Sequence, residues 1–294
     1  MAYADVLVVS ICFLSLNAAE EIQKTKQDSQ QELMRRERGE IKSHIPAASA
    51  LELFSDSSQH RWALDTVLLR MFGFEAGRED GTIELFNQLD ETLKAAGFTK
   101  YDVEPHTTDD GALALQTQRY DEWAKSGYVR TVCETGFNAG HSALRFLAQS
   151  DAHLYEFDLG DHPYGKVAAN FLTGKFPGRL NITWGSSTDT LRRFHAEHPD
   201  VTCDLIIVDG GHFQNVSISD LTNFAVMASK NHILAMDDTP CAGPWCVEPT
   251  ESWKNLTSVG CIEQTASTRM GKMRGFSVGR YKPCSRWPDA RNLA

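Results

Sequence analysis

The spacing of the hydrophobic positions changes near Gly127. Before it, apolar residues recur at helical intervals over Ile83–Ala96 and Leu113–Ser126, and a glycine follows each segment where a helix would end. After it, short apolar runs rich in β-branched residues alternate with helix-compatible segments. The pattern predicts an all-helical N-terminal part followed by a domain of alternating strands and helices.

Five predicted strands alternate with helices in this second part. The strands are Val129–Cys133, Leu154–Asp158, Asn181–Trp184, Leu205–Val208 and Ile233–Met236. The helices are Ser142–Gln149, Val167–Phe176, Thr188–His198 and Ser217–Ser229. Strands that alternate with helices form βαβ units in a parallel sheet. Cys261–Ala266 and Gly275–Lys282 have no helix between them, which favours an antiparallel hairpin. The predicted fold is α/β, with a doubly wound, mostly parallel sheet that ends in this hairpin.

Three parts of the chain are predicted: residues 1–19, 20–126 and 127–294. The apolar run Val6–Leu16 has the length of a signal-peptide core, but no Lys or Arg precedes it. A signal peptide and a packed apolar segment therefore both stay open. Residues 20–126 are expected to form a helical extension or lid. Its apolar residues after Ser49 pack on their own domain or on a second copy, which would make a homo-oligomer.

The amino-acid composition limits the kinds of partner that the protein is expected to bind. The chain has 39 Asp and Glu against 29 Lys and Arg, a formal net charge of −10, whereas nucleic acids and anionic membranes require concentrated positive charge. No apolar run reaches the ~18 residues of a transmembrane helix. The expected partner is a small-molecule substrate.

The compartment stays open between the cytoplasm and the secretory or endomembrane system. The seven cysteines show no C-x-x-C zinc or redox motif, although Cys241 and Cys246 are close enough to pair if the compartment is oxidising. Three glycosylation sequons, headed by Asn181, Asn215 and Asn255, are compatible with secretion.

A glycine-containing loop follows the first predicted strand, with Glu134, Gly136, Asn138 and Gly140 at every second position. The two glycines let the backbone turn tightly and approach a ligand. The middle glycine of G-x-G-x-x-G is missing, which disfavours a nicotinamide dinucleotide. Glu134 repels phosphate and suits a cationic ligand, and Asp158, which ends the next strand, is placed to hold ribose hydroxyls. The pattern predicts a site for a cationic nucleoside.

This region resembles motif I of the class I S-adenosylmethionine-dependent methyltransferases, and the resemblance covers about Val129 to Lys282. It implies a Rossmann-like methyltransferase fold with S-adenosyl-L-methionine as cofactor. The residues implied at its methionine end are Glu134, Gly136, Asn138 and Gly140. Asp158 would hold the ribose, and Ser186 or Ser187 the adenine edge, although serine there is otherwise a helix N-cap.

Two later predicted strands end in aspartates, Asp209 and the pair Asp237 and Asp238. Because parallel strands share one carboxyl edge, these carboxylates can converge beside the glycine loop. Converging carboxylates repel one another, and Mg²⁺ or Mn²⁺ would neutralise them. His212 follows Asp209 on a Gly-Gly turn and can face the same point.

The aspartates resemble those of metal-dependent O-methyltransferases, of the catechol type and more closely the macrocin and mycinamicin type. The likeness implies Asp209, Asp237 and Asp238 as metal ligands, with Asp209 also near the cofactor, and His212 as general base. Trp245, in the loop after the aspartates, is a candidate wall for a planar or sugar substrate. A metal-free N- or C-methyltransferase and a non-catalytic binding subunit of the same fold remain as alternatives.

Overall fold

The computed structural model describes residues 77–99, 102–103, 113–285 and 287, with residues 77–80 described by their backbone alone. The predicted N-terminal segment 1–19 and the first half of the predicted extension lie outside these residues. No helix in the described ranges has the length and apolar character needed to cross a membrane.

Seven helices and seven strands form the described part of the chain. The helices are α1 (Gly77–Ala95), α2 (Ala114–Lys125), α3 (His141–Gln149), α4 (Pro163–Lys175), α5 (Ser187–Glu197), α6 (Gln214–Phe224) and α7 (Val247–Ser258). The strands are β1 (Thr131–Thr135), β2 (His153–Asp158), β3 (Leu180–Trp184), β4 (Cys203–Val208), β5 (Ala228–Asp237), β6 (Ile262–Met270) and β7 (Arg274–Tyr281). A short 3₁₀ turn, Pro244–Cys246, precedes α7.

The seven strands form one sheet in the order β3-β2-β1-β4-β5-β7-β6. The pairs from β3 to β5 are parallel, and β7 pairs antiparallel with both β5 and β6. The order reverses between β1 and β4, so the carboxyl ends of β1, β2, β4 and β5 surround the crevice where open α/β sheets bind ligands. The predicted doubly wound sheet with its C-terminal hairpin is confirmed.

Alternate strand residues face two separate hydrophobic cores. Val132 and Ile207 pack on one face with residues of α1 to α4. Cys133 and Ile206, their chain neighbours, pack on the other face with residues of α5, α6 and α7. Because both faces are covered, β4 reads as a continuous apolar run from Leu205 to Val208 rather than alternating in polarity. The sheet is the middle of three layers.

Strand β5 differs from its prediction. It begins at Ala228 rather than Ile233, while the preceding helix ends at Phe224 instead of continuing to Ser229. The first half of β5 is only partly covered, and its Lys230 and Asn231 are exposed. Because these residues are polar, the hydrophobic pattern did not indicate this part of the strand.

Candidate functional site

A cavity of about 650 Å³ lies at the carboxyl ends of β1, β2, β4 and β5. Most of the predicted site residues line it, namely Gly136, Asn138, Asp158, Ser186, Ser187, Asp209, His212, Asp237 and Asp238. Glu134 and Gly140 do not line it. The topology thus brings residues from five separate loops to one place.

Gly136 forms the tight turn at the end of β1. Its φ of +96° is one that L side chains rarely adopt, and its N–H donates to the Phe157 carbonyl at 2.9 Å. A Cβ here would collide with the backbone carbonyl of Asp209. Only glycine lets this loop approach the end of β4 so closely. Gly140, with φ +75°, precedes α3, and a Cβ on it would lie 2.7 Å from the side chain of Leu172.

Asp158 at the end of β2 is fixed by two backbone donors. Its Oδ2 accepts the Asn138 N–H at 3.0 Å, and its Oδ1 accepts the Gly160 N–H at 2.7 Å. Asn138 has a φ of +52°, which asparagine tolerates better than most residues, and this conformation closes the loop onto β2. The carboxylate is therefore preorganised at the cavity wall.

Glu134 lies behind the cavity and is completely buried. Burial raises its pKa to about 8, although the Ser142 hydroxyl, which donates to Glu134 Oε2 at 2.8 Å, opposes the shift. Glu156 is its partner across the β1–β2 pair, and burial and the charge of Glu134 raise the pKa of Glu156 as well. Ser142 lines the cavity, so its hydroxyl lies between the cavity and the Glu134 carboxyl.

Three side chains that could bind a metal lie close together in the same cavity as Asp158. One ligand atom from each of Asp209, His212 and Asp238 lies within 4.8 Å of the others. The His212 Nε2 is 3.1 Å from Asp238 Oδ2, and Arg274 Nη1 is 3.3 Å from Asp238 Oδ1. Burial raises the pKa of Asp209 well above its usual range, and Asp237 and Asp238 raise it further. Two carboxylates and an imidazole suit a divalent cation such as Mn²⁺ or Mg²⁺.

Asp238 adopts a φ of +53° and, like Asn138, is a non-glycine residue with positive φ at the cavity. This conformation turns the chain sharply after β5, and Asp237 and Asp238 consequently have different partners. Asp237 Oδ1 accepts the Gln116 amide at 3.0 Å, and burial raises the pKa of Asp237 to about 6, with the neighbouring Asp238 adding to the shift. Asp238 contacts His212 and Arg274.

The comparisons with known proteins concern the domain type and the fold. Residues 133–239, from β1 to just beyond β5, match the model of a family described as a methyltransferase domain. No curated protein sequence matches the chain significantly.

Solved structures with the same fold include three methyltransferases. The O-methyltransferase TomG from Streptomyces achromogenes, involved in tomaymycin synthesis and solved with S-adenosylmethionine, has 14% identity and a TM-score of 0.52 over 78% of this chain and 100% of its own. The O-methyltransferase of Bacillus cereus has 12% identity and a TM-score of 0.53 over 76% and 100%. Podospora anserina PaMTH1 has 16% identity and a TM-score of 0.51 over 66% and 88%. The chain has the Rossmann-like methyltransferase fold.

Two helices of the predicted extension contact the cavity, α2 through a lining side chain and α1 through a residue behind the lining. The Gln116 amide, on α2, donates both to Asp237 and to the Tyr120 hydroxyl at 3.1 Å, and Tyr120 lines the cavity. His141, which also lines it, has its Nε2 3.2 Å from Asp90 Oδ1 on α1. Sequence reasoning missed these residues, and the four-residue spacing of Gln116 and Tyr120 on one helix face was the available signal.

The remaining predicted residues lie on the rim of the cavity. Ser186 precedes α5 in the N-cap position, but its hydroxyl bonds with Thr188 Oγ1 at 2.8 Å rather than capping a helix N–H. His162, which is not among the predicted site residues, also lines the cavity and stacks on Tyr164 with 5.0 Å between the ring centroids. Trp245 lines the cavity, 5.6 Å below the Arg274 guanidinium. These positions are compatible with the predicted adenine and substrate contacts, which stay predictions.

Because the carboxyl of Asp220 is buried, we expect the stability of the protein to depend on pH. This wholly buried carboxyl on α6 lies near the hydroxyls of Ser187 and Thr135, and burial raises its pKa to about 7 from a model-peptide value of 3.8. The unfolded chain therefore ionises first, and the stability that Asp220 contributes at low pH is lost as the pH rises from about 4 to about 7. Asp220→Asn should remove roughly 2–4 kcal/mol of this decline in urea unfolding.

Other buried acids, including Glu134, act in the same direction, so the Asp220→Asn variant should show a reduced slope and not a flat profile. Asp189→Asn changes an exposed aspartate of α5 and serves as the matched control. Equal slopes of unfolding free energy against pH in the wild type and in Asp220→Asn would contradict the assignment.

Proposed function

We propose that the protein is an S-adenosylmethionine-dependent O-methyltransferase that acts on a small hydroxylated molecule with the help of a divalent cation and a histidine base. The observation that carries the proposal is the shared cavity. Asp158, Gly136 and Asn138 line it together with Asp209, His212 and Asp238. A methyl donor and a hydroxyl acceptor bound there would be adjacent, and orientation of this kind supplies much of the rate in group transfer.

The residues around Asp158 fit the cofactor. The Asp158 carboxylate, already held by two backbone N–H groups, has acceptor capacity left for the ribose hydroxyls. The Ser142 hydroxyl, which donates to Glu134, can accept a hydrogen bond from the amino group of the cofactor, and Ser186 and Ser187 line the part of the cavity proposed for the adenine. When bound, S-adenosylmethionine supplies a methyl group activated by its sulfonium charge.

The aspartates in this cavity fit a cation. Asp209 and Asp238 would hold it directly, and Asp237, which is hydrogen bonded to Gln116, would support them from behind. Burial of these mutually repelling carboxyls raises the pKa of Asp209 and Asp237, and the Arg274 guanidinium offsets only part of their charge. A bound Mg²⁺ or Mn²⁺ lowers the pKa of an acceptor hydroxyl.

His212 is the proposed general base. Its side chain is 45% exposed at the cavity mouth, and Asp238 orients the ring through Nε2 at 3.1 Å. From this position the imidazole can take the proton of an acceptor hydroxyl. His212 is also close enough to Asp209 and Asp238 to act as a metal ligand instead. The two roles differ in their effect on metal affinity.

The fold neighbours support oxygen as the acceptor atom. TomG and the Bacillus cereus protein are both described as O-methyltransferases, and both were solved with the cofactor or its demethylated product. Their identities of 14% and 12% establish a common fold, and the acceptor preference is carried to this chain as part of the proposal.

Calorimetric titration of S-adenosylmethionine into the full chain tests the proposed cofactor. Asp158→Ala should weaken binding by about 10- to 100-fold, because hydrogen bonds to a charged acceptor contribute about 1.5–3 kcal/mol. Asp161→Ala removes a neighbouring, exposed rim carboxylate and should change the affinity by less than about threefold. Binding that is absent in the wild type, or unaffected in Asp158→Ala, would overturn the cofactor assignment.

A further inference from the structure

The cysteines of the described domain occur in close pairs. Of the seven cysteines in the sequence, six lie in the described residues, and all six have their sulfurs at bonding distance from a partner. The pairs are Cys133 with Cys203, Cys241 with Cys246, and Cys261 with Cys284. Their Cα separations of 5.8, 5.7 and 4.9 Å lie within the range that a disulfide spans without backbone movement.

We propose that these six cysteines form three disulfide bonds and that the domain therefore acquires its native state in an oxidising compartment. Proteins of a reducing cytosol seldom keep such bonds, and complete pairing of six cysteines by chance is improbable for thiols with no bonding role. Each bond forms by thiol–disulfide exchange. Two thiols lose two protons and two electrons, and a disulfide oxidant such as glutathione disulfide accepts them and becomes two thiols.

The first and third pairs are structural by their position. Cys133 and Cys203 are completely buried in the core between the sheet and the helices α5 to α7, and they join strands β1 and β4 at the centre of the sheet. Cys261 is also completely buried and joins the start of β6 to the segment after β7 through Cys284. Thiols so enclosed are poor redox sensors, which need solvent access. These bonds would hold the sheet's centre and its hairpin edge.

The second pair lies beside the candidate site. Cys246 Sγ is 3.7 Å from Asp238 Oδ1, and the loop closed by the Cys241–Cys246 bond carries Trp245 into the cavity. The sulfurs of this pair and Asp238 are also close enough to bind a soft metal if the cysteines were free thiolates. Pairing of the other four cysteines favours the oxidised form here too, and the two forms are distinguished by alkylation.

Exposed glycosylation sequons agree with an oxidising compartment of the secretory pathway. Asn181 lies on the edge strand β3 and Asn215 at the start of α6, and both side chains are exposed. Asn-x-Ser/Thr asparagines on the surface are the acceptors for glycans in that pathway.

Refolding the reduced full chain tests the proposal. The protein is refolded in a buffer of reduced and oxidised glutathione and in parallel in dithiothreitol, and free thiols are blocked with N-ethylmaleimide in denaturant before peptide mass spectrometry. The glutathione sample should contain the three linked peptide pairs, with N-ethylmaleimide on none of the six cysteines. Six labelled cysteines in a folded glutathione sample, different pairings, or zinc retained by Cys241 and Cys246 would each overturn it.

Thermal unfolding gives a second, graded readout. The closed loops span 70, 23 and 5 residues, and longer loops restrict the unfolded chain more. Dithiothreitol should lower the wild-type Tm by about 10–20 °C. The double variant Cys133→Ala/Cys203→Ala should lose the largest share of this response to reductant, and Cys241→Ala/Cys246→Ala the smallest. Because each variant is compared with itself, with and without reductant, loss of core packing does not enter the comparison. An unchanged wild-type Tm in dithiothreitol would contradict the proposal.

Discussion

Gly136→Ala is expected to destabilise the protein by about 3–5 kcal/mol and to abolish measurable S-adenosylmethionine binding. The added Cβ meets the backbone carbonyl of Asp209 and lies 3.3 Å from the Gly210 Cα, and neither backbone atom can move without shifting the end of β4. The φ of +96° adds conformational strain. Relief of both requires the loop after β1 to separate from β4, which opens the cavity between Asp158 and Asp209.

Gly97→Ala is the matched control for this variant. Gly97 follows α1 with nearly the same φ, +94°, but a Cβ there meets nothing within 4 Å. The control should therefore show the cost of positive φ alone, about 1 kcal/mol, with unchanged cofactor affinity. Urea unfolding and calorimetry of the two variants measure the difference. Similar losses in both would mean that the contact with Asp209 is not what requires glycine at position 136.

The alternation of apolar runs and helical segments was sufficient to predict the sheet because its central strands are covered on both faces. Such strands read as short continuous apolar runs, as in Leu205–Val208, and the aspartates that follow them mark the shared carboxyl edge. The strands at the edge of the sheet were harder to predict. Strand β6 runs to Met270, well beyond the predicted Ala266, and is mostly exposed, so its hydrophobic pattern stops before the strand does.

Placement at the cavity was predictable where it depends on a residue's own strand end, as for Gly136, Asp158 and Asp209. It was not predictable where the role depends on packing between distant segments. Gln116 reaches Asp237 only because α2 packs on α3. The partner of Cys133 is likewise 70 residues away, and nothing in the spacing indicates it.

Neighbouring acids could not be distinguished by sequence alone. Asp237 and Asp238 are adjacent, and their environments differ because the positive φ of Asp238 turns its side chain to His212 and Arg274. The β1–β2 register places Glu134 opposite Glu156, and both are buried. The sequence does not specify this register. Local pattern therefore predicted which residues converge, and backbone conformation decides which of them face the ligand.

Asp238→Ala is expected to reduce methyl transfer by about 10²- to 10⁴-fold with little effect on cofactor binding. Asp238 contacts both His212 and Arg274, and it is also a proposed metal ligand. Without Asp238, His212 would lose the carboxylate that orients its ring, and the proposed cation site would lose a ligand. Asp158 ends β2, which β1 and β4 separate from β5 in the sheet, so the affinity for S-adenosylmethionine should stay within about threefold of the wild type.

His212→Ala separates the two consequences of losing Asp238. If His212 is the base, this variant loses activity but binds Mn²⁺ with wild-type affinity, whereas Asp238→Ala loses both; calorimetric titration of Mn²⁺ measures this directly. A weaker Mn²⁺ affinity in His212→Ala would make the histidine a ligand and not the base, because removing a donor weakens a metal site whereas removing a base does not. Asp200→Ala, an exposed aspartate between α5 and β4, should leave both quantities unchanged. Activity retained within about fivefold in Asp238→Ala would contradict the proposed role of Asp238, His212 and Asp209 as the reaction centre.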